Sequence, residues 1–313
     1  MWAAELRAIL RGAAGSFLFG IPLLYTVEVW AIGSSTDSLQ LLGVQAATFV
    51  VVLLLTQIEG FRRSLTINPI ETILESIEAL GIGIICAALA LVLLRRITLN
   101  TPLSEALGKL IFEGVPFSLG VTLARSTLER RRPMQRRTLG YEMRRSVSDS
   151  SPNPILDIVP DTVANTVRDI VPNTVASTVR DTVRDTLVDT DATLIGAIVI
   201  AFSIAPTEEI PIIASALPPL WLLLIMAASL LISYIIVFAS GFTNRWERAR
   251  RGLLLSPLTE TLAAYVIVLI ASALMLIFFQ QLSSSDPWQE WLGNIIVLGL
   301  PASVGGAAGR ILV

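Results

Sequence analysis

The sequence predicts an all-α integral membrane protein. Its eight transmembrane helices should form two parallel four-helix repeats related by a pseudo-twofold axis along the membrane normal. Of the 313 residues, 53% are hydrophobic and only 15% are charged, whereas soluble domains carry about 25% charged residues. Eight apolar segments are long enough to cross a bilayer, and motifs of the first four recur in the last four. We therefore expect a first membrane repeat at 1–125, a cytoplasmic segment at 126–192 and a second membrane repeat at 193–313.

Composition narrows the chemistry that the chain can perform. It has no histidine, and its single cysteine, Cys86, lies in an apolar run. Histidine-based triads, haem sites, thiolate metal clusters and internal disulfides are therefore excluded. The sequence contains no phosphate-binding loop and no nucleophile elbow. The 23 basic and 25 acidic residues nearly cancel, which gives no argument for nucleic-acid binding. We predict a protein that is not an enzyme and has no cofactor apart from a bound cation of unknown identity.

The predicted spans follow from length and hydropathy. A helix needs about 20 mostly apolar residues to cross the hydrocarbon core. The first segment has no cleavage site after it, which predicts a retained helix rather than a signal peptide. The eight spans are 13–33, 39–60, 71–94, 104–124, 193–214, 219–240, 257–279 and 290–312.

Arginine residues fix the expected orientation, because they accumulate in cytoplasmic loops. With eight spans, three arginine groups fall on the same side as the N-terminus. These groups lie at 62–63, 125–145 and 245–251. Only Arg95, Arg96 and Lys109 fall on the opposite side. We predict a multi-pass protein of the bacterial cytoplasmic (inner) membrane with both termini in the cytoplasm. The block at 125–145 should contact anionic lipid rather than nucleic acid.

The two halves repeat each other in the same order along the chain. The matched motifs are Thr26-Val27-Glu28 with Thr207-Glu208-Glu209, Gly60-Phe61 with Gly241-Phe242, Pro69-Ile70-Glu71-Thr72 with Pro257-Leu258-Thr259-Glu260-Thr261, and Gly114-Val115-Pro116 with Gly299-Leu300-Pro301. The offset is 181 residues in the first span and 185 in the last. Four spans per copy give both copies one orientation, which places a path or a site between the halves.

The segment between the halves has a different composition. Residues 146–154 are rich in Ser, Asp and Pro, which is typical of a flexible linker. A 12-residue repeat follows at 158–169 and 170–181, with part of a third copy. Pro160, Pro172 and many β-branched residues weaken its helical propensity. Two interpretations remain: a low-complexity tether, or a cytoplasmic amphipathic helix that packs on the membrane or on a partner.

Glu28 and Glu209 are the main candidates for an ion site. An ionisable side chain that faces hydrocarbon costs about 3 kcal/mol or more. The duplication gives both carboxylates one depth, roughly 20 Å from the cytoplasmic ends of their helices. Across the axis they could bind a metal cation or share a proton. Thr26, Thr207 and Glu208 would add oxygen atoms nearby. Alternatively, both glutamates are solvated at the outer interface or pair with the basic residues there.

A second duplicated pair, Glu71 and Glu260, begins the third and seventh spans. An acidic residue in a first turn after proline is favoured by the helix dipole, so capping alone can explain both residues. The series Glu71, Glu75 and Glu78 goes further, because it places three carboxylates on one helical face. That face could line a cytoplasmic vestibule of an ion pathway.

The last span of each half contains a Gly-X-Pro motif, formed by Gly114 and Pro116 and by Gly299 and Pro301. Proline opens the hydrogen-bond ladder and glycine lets a neighbouring helix approach. Each break is therefore either a kink that serves packing or a hinge that lines the site. Glu113, beside the first break, is an asymmetric addition.

Together, the duplicated Thr-X-Glu, Gly-Phe, Pro-X(1–2)-Glu-Thr and Gly-X-Pro motifs resemble a family of bacterial integral membrane proteins of unknown function, frequent in cyanobacteria. The resemblance covers both membrane halves and omits the linker at 146–190. It implies the eight-span duplicated architecture and does not indicate which activity or site residues the protein has. A weaker similarity to small cation transporters with duplicated acidic motifs is a functional analogy only, because their Glu-X-Gly-Asp signature is absent from this sequence.

The sequence thus predicts a membrane transport protein, either a cation channel or a cation/proton transporter, that uses the Glu28 and Glu209 carboxylates. Two alternatives remain. The protein could transport another small solute or a lipid through gates at the Gly-X-Pro helices, or it could be a scaffold or sensor that transports nothing. The expected partners are the lipid bilayer and the cation or proton, and formation of a homo-oligomer stays open.

Overall fold

The computed structural model describes residues 2–59, 69–129, 173–239, 257–283 and 285–312. Its helices, numbered here in chain order, are α1 (Trp2–Leu24), α2 (Val27–Ser35), α3 (Ser38–Glu59), α4 (Pro69–Leu93), α5 (Leu103–Glu129), α6 (Asn173–Ile204), α7 (Glu209–Ser215), α8 (Pro219–Tyr234), α9 (Pro257–Phe278) and α10 (Trp288–Leu312). A π-helical turn, Ile235–Ala239, extends α8. Most of the predicted lipid-binding block, the first copy of the 12-residue repeat and the two Gly-Phe motifs lie outside the described residues.

The helices confirm an all-α membrane architecture. Seven of them are long and apolar enough to cross a membrane, and the bent pair α6–α7 makes an eighth span if it is counted as one. A proline begins α4, α8 and α9, where its missing N–H costs no helical hydrogen bond. The described helices therefore agree with the number of spans predicted from hydropathy.

The first and fifth predicted spans, 13–33 and 193–214, are not single helices, which corrects the sequence prediction. α1 ends at Leu24 and α2 begins at Val27, with extended backbone at Thr26. The axis turns by 91° between α6 and α7. Pro206 has no N–H with which to extend α6. A hydropathy window averages over such a break, because the residues on both sides are apolar.

α6 begins earlier than predicted. It starts at Asn173, inside the second copy of the 12-residue repeat, and continues into the membrane span. The expected boundary between linker and second repeat at 192–193 therefore falls within a helix. Pro172 is the last proline before Pro206, so nothing interrupts the helix between them. Adding residues to an existing helix is much easier than nucleating a new one, which offsets the weak propensity of the valines and threonines.

One helix is central in each half. α5 packs against α1, α2, α3 and α4, and α10 packs against α6, α7, α8 and α9. Contacts of α1 with α4 and of α3 with α4 also have counterparts, in α6 with α9 and α8 with α9. The same helix pairs therefore pack together in both halves of the chain.

Glycines bring the first and last helices of each half into backbone contact. A Cβ atom on Gly15 would overlap Ala124 and the backbone of Gly120. A Cβ atom on Gly196 would overlap the backbone of Gly305 in the same way. Small residues allow such close approach in membranes, where packing rather than the hydrophobic effect holds helices together. These contacts have the same offsets, 181 and 185 residues, as the duplicated motifs.

α4 and α9 also end alike. Arg95 and Gln280 have left-handed backbone, with φ of 54° and 59°. The next residues, Arg96 and Gln281, donate their amide hydrogens to the carbonyl five residues earlier, at 2.8 Å in both cases. This is a Schellman ending, which glycine usually occupies. Arg96 then lies over Trp30 of α2, and Gln281 donates to the Pro206 carbonyl, so both residues reach the break after the first helix of their own half.

The halves meet along α1, which contacts α10 and the π-helical turn. The Tyr25 hydroxyl donates a hydrogen bond to the Val297 carbonyl, at 2.8 Å. The Trp221 indole Nε1 donates to the Leu93 carbonyl, at 2.6 Å, and the Arg95 guanidinium lies 5.6 Å from the Trp221 ring centroid. Polar side chains of both halves therefore contribute to the contact between them.

Candidate functional site

The predicted pair Glu28 and Glu209 lies at the starts of two short helices. Glu28 is in the first turn of α2 and is exposed. Glu209 begins α7 and is half-buried, and its Oε2 atom is buried without a hydrogen-bond partner among the described residues. Glu208, just before it, is exposed. The two carboxylates follow their helix breaks alike but have different environments, and a cation or proton shared between them stays a prediction.

The two threonines are also placed at the breaks. Thr26 caps α2 without a side-chain hydrogen bond to the helix. The Thr207 hydroxyl donates to the Ile204 carbonyl at 2.6 Å, so it closes the last turn of α6.

Within the described parts of the chain, no group of three or more His, Cys, Asp or Glu side chains could hold a metal ion. Any metal bound here would need backbone, hydroxyl or water oxygens as most of its ligands.

The second duplicated pair separates into two different environments. Glu71 is exposed in the first turn of α4. Glu260 forms an ion pair with Arg310, whose side chain is only 1% exposed. The Arg310 guanidinium also lies 5.5 Å from the centroid of the Phe238 ring. Glu260 therefore links the start of α9 to the end of α10, which is a structural role. A role of Glu71 in a cytoplasmic vestibule stays a prediction.

α10 continues through Pro301, and the other half of the protein satisfies the backbone carbonyl that this proline leaves open. Pro301 has no N–H, so the carbonyl four residues earlier, at Val297, loses its helical partner. The Tyr25 hydroxyl supplies the missing hydrogen bond. A Cβ atom on Gly299 would lie 2.9 Å from Leu269 and 3.6 Å from the Tyr265 hydroxyl. In the first half, a Cβ atom on Gly114 would lie 3.4 Å from Ile84, so glycine leaves more room there.

Glu113 is the only buried acidic side chain among the described residues, at 1% exposure. It is the eleventh residue of α5, which places it about 15 Å along the helix from Leu103, near the middle of the span Leu103–Ala124. Its Oε1 atom has no hydrogen-bond partner among the described residues. A carboxyl group at this depth, with one oxygen atom that lacks a hydrogen-bond partner among the described residues, makes Glu113 a candidate functional residue.

Trp30 of α2 borders the Glu113 carboxyl group with its indole N–H. Trp30 is 5% exposed, and its Nε1 atom has no hydrogen-bond partner in the described residues. The Arg96 guanidinium carbon lies 4.1 Å from the Trp30 ring centroid, which is a close cation–π contact. The indole therefore lies between an arginine over its face and a carboxyl group at its N–H edge.

Arg96 also connects this cluster to the interface between the halves. Its Nε and Nη2 atoms are buried and have no hydrogen-bond partner among the described residues. Burial lowers the pKa of the Arg96 guanidinium, and the neighbouring Tyr25 hydroxyl counteracts that shift. Tyr25 in turn lies close to Tyr265 of α9, whose buried hydroxyl has no hydrogen-bond partner in the same residues. We call Tyr25, Trp30, Arg96, Glu113 and Tyr265 the interface cluster.

Few features of the sequence predict the interface cluster. Glu113 stood out only as a charge beside Gly114, without a duplicated partner, since Leu298 occupies the equivalent position. Lys109, a possible partner for glutamates at the outer side, instead pairs with Glu105 at 2.5 Å. Arg96 and Trp30 are far apart in sequence, and no local spacing predicts their contact. An acidic residue in the middle of a predicted span was the one available signal.

The apolar helices, the broken spans and the buried carboxyl group together define a multi-pass integral membrane protein. A comparison with family models identifies the particular family. Residues 8–313 match the model described as "Putative integral membrane protein (DUF2391)", and the chain belongs to this family, whose function is unknown. The resemblance seen in the sequence motifs is thereby confirmed. No curated protein and no solved structure matches the chain.

Proposed function

We propose that this protein is a membrane transport protein that moves a cation or a proton along a path containing intramembrane carboxylates. The observation that supports the proposal best is Glu113, buried in the middle of α5 with an unpaired carboxyl oxygen. Keeping an ionisable group at that depth is costly. A residue needed only for packing would carry no such cost, which favours a role in ion binding.

Glu209 supports the same proposal from the second half. Its Oε2 atom is also buried without a hydrogen-bond partner in the described residues. In this proposal Glu113 and Glu209 are the carboxylates within the protein, and the exposed Glu28 lies at an end of the path. This arrangement departs from a symmetric Glu28–Glu209 site, because Glu113 has no duplicated counterpart.

We further propose that the halves are parallel repeats related by a pseudo-twofold axis along the membrane normal. The duplicated helix pairs, the glycine contacts and the matching Schellman endings support this arrangement. The arginine distribution supports a cytoplasmic-membrane location with both termini inside. The interface cluster then lies where the halves meet, a common position for transport sites.

Flux measurements in proteoliposomes test the transport proposal. Wild-type protein, Glu113→Gln and Glu28→Gln/Glu209→Gln would be compared for H⁺, Na⁺, K⁺, Mg²⁺, Ca²⁺ and Mn²⁺. Glu290→Gln is the matched control, because Glu290 is exposed in the first turn of α10. We expect flux of one cation that falls at least tenfold in Glu113→Gln and stays unchanged in Glu290→Gln.

Three results would contradict the proposal. If Glu113→Gln and the double variant both transport as the wild type does, the carboxylates are not part of the path. If no cation moves but a neutral solute or lipid does, the alternative solute or lipid transporter replaces the cation proposal. A protein that moves none of these substances would be a scaffold or sensor.

A further inference from the structure

The interface cluster gives Glu113 a neighbourhood unlike that of a metal ligand. The group beside its carboxyl is the Trp30 indole N–H, a donor with no lone pair to offer a cation. Over the same indole lies the positively charged Arg96. Metal cations such as Ca²⁺ and Mg²⁺ need about six or more oxygen ligands, and the described residues contain no group of three acidic, His or Cys side chains around an ion.

A proton needs none of these additional ligands. One carboxyl oxygen is sufficient to bind it, and a buried carboxylate without a cation partner lowers its desolvation cost by becoming neutral. When the proton leaves, the Trp30 N–H, which has no hydrogen-bond partner among the described residues, is the nearby donor for the negative carboxylate. Arg96 over the ring strengthens that donor, because it draws electron density from the indole. The cluster can therefore accommodate both protonation states of one group.

Other charged groups near Glu113 do not compete for this task. On α5 itself, Lys109 is one turn away and is paired with Glu105. Tyr25, just after α1, donates its hydroxyl hydrogen to Val297, and Glu28, the one titratable residue of α2, is exposed. α3 has no titratable side chain between Ser38 and Ile58. On the facing part of α4, Cys86 is the only titratable residue between Leu80 and Leu93, and its thiol lies against Ser16.

From this arrangement we infer that Glu113 is a proton-binding site rather than a metal site, and that the ion handled by the protein is the proton. Only the second part of the inference, that the ion handled by the protein is the proton, rests on the proposed transport function. The step is a simple acid–base exchange, in which a Glu113 carboxylate oxygen gains a proton from water and later returns it. Trp30 and Arg96 are positioning residues for the charged form.

Infrared difference spectroscopy of the full chain in lipid, recorded from acid to alkaline pH, tests the inference without requiring transport. We expect a protonated-carboxyl band that disappears with rising pH, is absent in Glu113→Gln and persists in Glu290→Gln. Saturating Mg²⁺, Ca²⁺ or Mn²⁺ should leave the band unchanged. Trp30→Phe should move its midpoint to higher pH, because the charged form loses its donor.

The outcomes separate this inference from the transport proposal. A Glu113 band that titrates in a protein without flux supports the proton site and overturns transport. A band that Glu113→Gln leaves intact, or that a metal cation abolishes at constant pH, overturns the proton site. If Glu113→Gln does not fold, the shift in Trp30→Phe decides the assignment, and a midpoint that does not move contradicts it.

Discussion

The Tyr25 hydroxyl donates a hydrogen bond to the Val297 carbonyl, at 2.8 Å, across the contact between the two halves. Val297 needs this partner because Pro301, four residues later, has no N–H. The hydrogen bond therefore couples the break between α1 and α2 to the backbone carbonyl that a proline leaves open within the continuous helix α10. It also places Tyr25 beside Arg96, so that one residue belongs both to the interface and to the cluster around Glu113.

Removing this hydrogen bond should weaken the contact between the halves. We expect Tyr25→Phe to lower the free energy of unfolding by about 1 to 3 kcal/mol, because a buried carbonyl is left without a partner. Thermal unfolding in detergent measures the change. Tyr234→Phe is the matched control, since its ring packs on Phe238 and the change keeps that ring. Equal stability of the two variants would contradict the proposed importance of the bond.

The ion pair between Glu260 and Arg310 gives a second prediction. Glu260→Gln should destabilise the protein by about 3 kcal/mol, because it removes the carboxylate that pairs with the buried Arg310. The double variant Glu260→Gln/Arg310→Met should recover part of the loss. Glu71→Gln, in the duplicated but exposed position, should have little effect. If Glu71→Gln destabilises the protein as much as Glu260→Gln does, helix capping rather than the ion pair accounts for the loss of stability.

The glycine contacts predict where a single methyl group is not tolerated. Gly15→Ala and Gly196→Ala should each cost about 1 to 3 kcal/mol, because the new Cβ atom would meet the backbone of a neighbouring helix. Gly81→Ala is the control, since nothing lies within 4 Å of a Cβ atom built there, and alanine favours the helix. Comparable losses in all three variants would show that the contacts are looser than described.

Labelling of cysteine variants tests the proposed orientation. Leu99 is fully exposed in the connection between α4 and α5, and Trp2 is 90% exposed. We expect Leu99→Cys to react with an impermeant maleimide added to intact cells, and Trp2→Cys to react only after permeabilisation. The native Cys86 is buried and should give little background. The opposite pattern would reverse the topology derived from the arginine groups.

The fold could be predicted further than the site. Hydropathy located the membrane helices because each is a long apolar run, and motif offsets such as Gly15 with Gly196 anticipated contacts that recur in both halves. The break at Tyr25 and Thr26 could not be read in this way, since hydropathy is continuous through it. A helix in the 12-residue repeat was one of two open interpretations, but its start at Asn173 and its continuation into the span were not predicted, because intrinsic propensity understates a helix that continues from a stable membrane span.

The interface cluster escaped prediction for a different reason. Glu28 and Glu209 are duplicated in the sequence, which is why they were predicted as the site. The buried Glu113 occurs once, and the equivalent position in the second half is Leu298. Arg96 reaches Trp30 only because a left-handed residue, Arg95, turns the chain back at the end of α4. Side-chain burial and contacts between distant segments depend on tertiary packing, and local sequence patterns do not contain them.

The bond between Tyr25 and Val297 joins residues that are 272 positions apart, which has a consequence for biogenesis. Its donor emerges from the ribosome early and its acceptor very late. Tyr25 can therefore be waiting in the bilayer when α10 arrives with a carbonyl that lipid cannot satisfy. A chain synthesised without α1 would insert α10 with that polar group facing hydrocarbon, and we expect membrane proteases to clear it faster than the complete chain.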